Sequence, residues 1–144
     1  MSRAWPAGEP GLVVLPDERR VVGRGVRDGG SPPDFALVAR WIPGRDPRCP
    51  TVRVRWPDFG LPTDRRAASR AIREVHARAA VERVAVLCGH GTGRTGAVLA
   101  VLAAMSGVDP DEAVGWVRRT YRPGAVETPW QRRWVRAVAR ELVA

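Results

Sequence analysis

Four apolar residues, Val84–Leu87, stand between an amphipathic segment and a glycine-rich turn, and this short run constrains the chain most. An uninterrupted apolar run of that length suits a strand covered on both faces, as in a parallel sheet. Before it, Thr63 or Asp64 can cap a helix running to about Val81. Ala68, Ile72, Val75 and Ala79 put one apolar stripe along that helix,. Earlier still, Thr51–Trp56 alternates as T-V-R-V-R-W and stops at Pro57, the pattern of a strand with one buried face,. Strand, helix and strand make a βαβ unit, whose strands run parallel. Parallel strands end at one rim of the sheet, where open α/β sheets place ligands. The loops after Trp56 and after Leu87 are therefore expected to face each other.

The flanking segments fit the same class. Leu12–Leu15 and Val21–Val22 around Pro16-Asp17-Glu18 read as a hairpin, and Phe35–Ala39 as a strand,. Residues 43–50 read as a loop. A helix over about Thr95–Met105 follows the glycine-rich turn. Asp109-Pro110-Asp111-Glu112 has the form of a capping box for a helix to about Tyr121, and Thr128-Pro129-Trp130-Gln131 repeats it for a helix to about Leu142,. Trp130, Trp134, Val138 and Leu142 form the stripe of that last helix. The expected fold is α/β: a central twisted, mostly parallel sheet of about four or five strands flanked by helices. A chain of 144 residues fits one domain, here 1–144, with residues 1–10 expected to be loose,.

Charge and cysteine content narrow the function classes. The 24 basic residues against 15 acidic give +9, and all 24 are arginine. This balance suits an acidic partner, or simply a solvated arginine-rich surface. No basic block exceeds two residues, so nucleic acid is not the expected partner. The longest apolar run, Ala97–Met105, is about half of a membrane span, and no apolar leader opens the chain,. Two cysteines, Cys49 and Cys88, make no disulfide framework, which suits the cytoplasm,. No cofactor or metal is expected.

The chemistry concentrates in Leu87-Cys88-Gly89-His90-Gly91-Thr92-Gly93-Arg94-Thr95-Gly96. A helix N-terminus carries unpaired N–H groups and about half a positive charge. Gly89, Gly91 and Gly93 let successive amides turn inward as an anion nest, closed by His90 and Thr92. Arg94 adds a planar fork that grips two oxygens of a phosphate. Cys88 lies at the bottom of this cradle, where the same field stabilises a nucleophilic thiolate. Thr95 can hydrogen-bond the sulfur. Alternatively, Cys88 is a small buried apolar residue in an ordinary strand–helix turn. A Walker A loop fails for want of Lys. Gly91–Gly96 also spells GxGxxG, but no strand follows to carry the acidic residue of a dinucleotide site,.

Trp56-Pro57-Asp58 sits on the opposing loop. Asp58 can give a proton to a leaving oxygen, or be part of a Pro-Asp turn. Together, Cys88-x5-Arg94-Thr95 and Trp56-Pro57-Asp58 resemble the cysteine-dependent protein tyrosine and dual-specificity phosphatases. The resemblance covers about residues 51–135. It implies a phosphocysteine on Cys88, phosphate binding by Arg94 and residues 89–93, and Asp58 as general acid then base. Val126-Glu127-Thr128-Pro129-Trp130-Gln131 is similar to the family's Gln-bearing segment, which implies that Gln131 orients the hydrolytic water; as a helix residue it also completes a capping box. The implied substrate is phosphotyrosine in proteins, with phosphoserine or phosphothreonine as a second class. Non-protein phosphates (a phosphoinositide, an RNA end) and a phosphate-binding module without turnover are the alternatives. Leu87 departs from the family's His before the cysteine, and no clear tyrosine-recognition loop is present. His90 is a loop residue able to meet an acidic partner, His76 a structural or solvated one. Cys49 would matter only as a disulfide partner of an oxidised Cys88.

Overall fold

A computed structural model describes residues 3–44 and 46–144. Five strands, β1 (Leu12–Val14), β2 (Arg20–Gly25), β3 (Phe35–Arg40), β4 (Thr51–Arg55) and β5 (Val84–Cys88), form one sheet in the order β1-β2-β5-β3-β4. Only β1 is antiparallel, paired to β2 through the expected hairpin, with Leu12 opposite Val22. β2, β5, β3 and β4 run parallel. The helices are α1 (Arg65–Arg78), α2 (Gly93–Met105), α3 (Ala113–Thr120) and α4 (Pro129–Val143).

The expected βαβ unit exists with one addition: β3 lies between β4 and β5. The segments after β2, β3, β4 and β5 therefore all reach the same rim. Hydrophobic pattern fixes which face each strand shows. Phe35, Leu37, Val84, Val86 and Cys88 join the helices in the larger core, whereas Ala36, Val38, Ala85 and Leu87 form a second cluster on the opposite face,. The stripe of Ala68, Ile72, Val75 and Ala79 is buried as expected. α2 is buried all round, being wrapped by the sheet and the other helices,.

Residues 3–10 carry two buried anchors, Trp5 and Glu9, while residues 1–2 of the expected loose start lie outside the described residues. No helix residue belongs to the second cluster; Trp5 does, 1% exposed, with its indole donating to Val84 O at 2.8 Å. This segment covers the face the helices leave bare. Glu9 then accepts from Ser31 N at 2.7 Å and from Arg24 Nη2 at 3.1 Å, both ion-pair partners being buried. The Ser31 backbone bond, with Arg24 adding to it, holds the Glu9 carboxyl below its ordinary range against the effect of burial. Glu9→Ala leaves the Arg24 guanidinium buried without its counter-charge, and should cost about 3 kcal/mol in denaturant unfolding. The folded state favours the ionised form, so the stabilisation is present at neutral pH. It fades as pH falls through the lowered folded-state value.

α1 starts as expected, capped by Asp64, whose carboxylate accepts from Ala67 N, but it ends at Arg78 rather than near Val81. The Asp109–Glu112 box does not form: Asp109 accepts from Asp111 N in a local turn, and α3 begins only at Ala113. A short Asx turn satisfies that amide before the helix begins. The box at Thr128 and Gln131 forms fully.

Candidate active site

Cys88 ends β5 on the helix-bearing face and is 2% exposed. The chain then loops through 89–92 into α2, which starts at Gly93, two residues earlier than expected. Gly91 has φ +74°, and a Cβ there would lie 2.3 Å from Gly25 N, on the end of β2. Glycine is therefore required twice over, by conformation and by the approach of two backbones. Three contacts hold the outer side of the loop. Arg122 donates to His90 O at 2.9 Å and to Thr92 Oγ1 at 3.2 Å, and Tyr121 Oη donates to Gly91 O. Burial pushes the Tyr121 phenol up to about 12, so it stays a donor. Carbonyls drawn outward leave the amides of the loop free to turn toward a bound anion.

Arg94 is buried and spans the gap to the opposing loop. Its Nη1 donates to Trp56 O at 3.0 Å, and its Nη2 stands 3.6 Å from Asp58 Oδ1. The two loops expected to meet do meet. Asp58 keeps about half its side chain exposed, and the turn around it is pinned. Trp56 Nε1 and Gln131 Nε2 both donate to Gly60 O, at 2.8 and 3.0 Å, and Trp130 Nε1 donates to Phe59 O at 2.6 Å. Trp130 is thus a half-exposed anchor of this loop rather than the core residue its stripe suggested. Thr95 is fully buried, and its hydroxyl has no protein partner among the described residues.

The remaining candidates separate. His90 is exposed at the mouth. His76 Nε2 shares a 2.8 Å hydrogen bond with Ser106 and lies 3.5 Å from Asp17, a structural place; burial, and then Arg19, push it below the ordinary histidine value. Cys49 sits with the second cluster, on the far face of the sheet from Cys88. Gln131 is fully buried with its amide committed to backbone groups: Oε1 accepts from Glu127 N at 3.0 Å and Thr128 N at 3.2 Å, besides the Gly60 contact.

Several residues at the site carried no local signal in the sequence. A cleft of about 320 Å³ above Arg94 is walled by Trp41 and Ile42 on one side and by Pro57, Asp58 and His90 on the other. Trp41 and Ile42 follow β3, and only the insertion of β3 between β4 and β5 brings them there. Glu127 is exposed beside Gly93; partial burial, and then Asp58, push its carboxyl up, while Arg94 and His90 oppose this. A larger hollow of about 500 Å³ between α1 and α4 is walled by Arg65, Arg66, Ser69, Arg70 and Arg73 and contains no cysteine.

A buried cysteine at a strand end, a glycine-bearing loop into a helix, a buried arginine and a carboxylate on the facing loop thus meet at one rim of the sheet. The protein-tyrosine phosphatase family model matches residues 51–141, and the chain belongs to that family. The crystal structure of Tk-PTP in its active form is 24% identical, covers 93% of this chain and 97% of that one, and superposes with a TM-score of 0.62. A glycine-to-alanine mutant form of Tk-PTP is 28% identical over 76% of this chain and 77% of its own, with a TM-score of 0.57. PTPMT1 in complex with PI(5)P is 15% identical over 75% and 77%, with a TM-score of 0.58. No curated protein sequence matches the chain. The substrate is accordingly a phosphate ester. No helix among the described residues is long and apolar enough to cross a membrane.

Proposed function

We propose that the protein hydrolyses phosphotyrosine in proteins in two steps through a phosphocysteine on Cys88. The observation that carries this reading is the 3.6 Å approach of Asp58 to the Arg94 fork beside the cradle that Cys88 ends. In the free enzyme the carboxylate partners Arg94. A phosphoryl dianion entering the cradle takes over the guanidinium, and Asp58 is released to hold a proton. Cys88 Sγ attacks phosphorus while Arg94 and the amides of 89–93 bind the equatorial oxygens. Asp58 gives its proton to the leaving oxygen. Water then attacks the phosphocysteine, a proton returns to Asp58, and the electron pair of the P–S bond returns to sulfur. The unpartnered Thr95 hydroxyl supports a role in stabilising that sulfur, since a buried hydroxyl left unpaired costs about 1–3 kcal/mol,.

An aryl leaving group is favoured by the apolar wall of Trp41 and Ile42 beside the cleft,. PTPMT1, a structural neighbour seen with PI(5)P, supports a phosphoinositide as the second reading. One panel decides between them: phosphotyrosine peptides, phosphoserine and phosphothreonine peptides, and phosphoinositide vesicles. Phosphotyrosine peptides are expected to show the highest kcat/KM. A higher value on phosphoinositides would overturn the substrate assignment while leaving the mechanism standing.

A further inference from the structure

We infer that the arginine-walled hollow between α1 and α4 is a docking site for an acidic segment of a partner protein. It shares no lining residue with the catalytic cleft.

The arginines stand where folding alone disfavours them. The N-terminus of a helix is the positive end of its dipole, which favours carboxylates over cations. The first turn of α1 nevertheless holds no acid and opens with Arg65 and Arg66. Arg66, Arg70 and Arg73 follow at i, i+4 and i+7, so like charges share one side of the helix, a pairing that weakens it,. All four arginines are exposed. Elsewhere the chain neutralises its surface. Arg3 meets Asp34, Arg19 meets Asp17, Arg53 meets Asp46, Arg78 meets Glu74 and Glu82, and Arg140 meets Asp111. In the hollow Arg65 has the carboxylate of Glu141, and among the described residues none pairs with Arg66, Arg70 or Arg73.

Shape and chemistry select the occupant. At 1.5 Å per residue, the row from Arg66 to Arg73 is about 10 Å long, and the hollow has about 500 Å³. A single small anion engages one or two of these side chains. A run of Asp or Glu on one polypeptide reaches all three, each planar guanidinium taking a carboxylate through two parallel hydrogen bonds. Ser69, on the same wall, offers a hydroxyl to the segment's backbone,. Glu141 is the one lining group that repels such a segment. It occupies Arg65 and leaves the other three to read the partner. A bilayer calls for an exposed apolar face beside the basic residues, whereas Leu142 is the only large apolar residue of this lining.

Fluorescence anisotropy of a labelled oligoglutamate peptide, titrated with the whole chain at low salt, tests the site. The triple variant Arg66→Glu, Arg70→Glu, Arg73→Glu should weaken binding about 30-fold or more, because three attractive pairs become repulsive. The control Arg27→Glu, Arg48→Glu, Arg119→Glu changes the net charge equally at exposed positions outside the hollow. It should stay within about three-fold of wild type, since distant surface charges are screened. Glu141→Gln frees Arg65 and should tighten binding about three-fold, the worth of one exposed pair. The hollow variant should also unfold at the wild-type temperature or above it, because a carboxylate at position 66 suits the helix dipole. A peptide that does not bind wild type, or that is weakened equally by the two triple variants, would overturn the inference. So would a hollow variant that unfolds earlier than wild type, for the arginines would then serve the fold. Tighter binding of phosphatidylcholine vesicles containing phosphatidylserine, or of a short single-stranded DNA, through the same row would overturn the assignment to a protein partner.

Discussion

Cys88→Ser is expected to abolish hydrolysis of aryl phosphates, by about 10⁴-fold or more, with the fold and the phosphate site intact. On this mechanism Cys88 Sγ attacks phosphorus and later leaves it, and a sulfur does both better than an oxygen. A serine hydroxyl in the same place stays protonated, and no base stands ready to take its proton. Arg94 and the amides still bind phosphate, since none of their contacts passes through the sulfur. Turnover and phosphate inhibition should therefore part company: the first is lost, and the second persists within a few-fold. If the serine protein retained near-normal turnover, the nucleophile would lie elsewhere.

Asp58→Ala should lower kcat about 10²–10⁴-fold on phosphotyrosine, the usual worth of a positioned general acid. The effect must depend on the leaving group. A tyrosine phenolate, with a conjugate acid near pKa ~10, needs the proton, whereas nitrophenolate is stable without it. The loss should therefore shrink on p-nitrophenyl phosphate. Because Asp58 stands 3.6 Å from Arg94 in the free enzyme, its removal also deletes a competitor for the guanidinium. KM should stay level or fall. Steady-state kinetics on both substrates check this; a loss equal on the two would deny Asp58 the acid role.

The sequence made the sheet edge legible because its signals were local. The alternation of 51–56, the stripe of α1 and the run before Cys88 each announce their own element, and parallelism then forces the two loops together. What escaped depended on contacts between distant segments. The insertion of β3 between β4 and β5 is invisible to periodicity, and with it the arrival of Trp41 and Ile42 at the cleft. Tyr121 and Arg122 look like an ordinary helix end, yet they hold the outer face of the phosphate loop. Trp130 lies on the apolar stripe of α4 and is instead drawn out by Phe59 O. Residues 3–10 have a polar, proline-bearing composition that reads as loose. Trp5 docks there because the helices occupy only the other face. At Gln131 one side chain fitted two roles on paper, and the geometry commits its amide to the capping box and to Gly60 O.

Capture of the covalent intermediate tests the central proposal most directly. Acid quenching of Asp58→Ala during turnover of p-nitrophenyl phosphate, followed by peptide mapping, should find phosphate on the sulfur of Cys88. Phosphate on His90 or on any other side chain, or sustained turnover with Cys88 never modified, would contradict it.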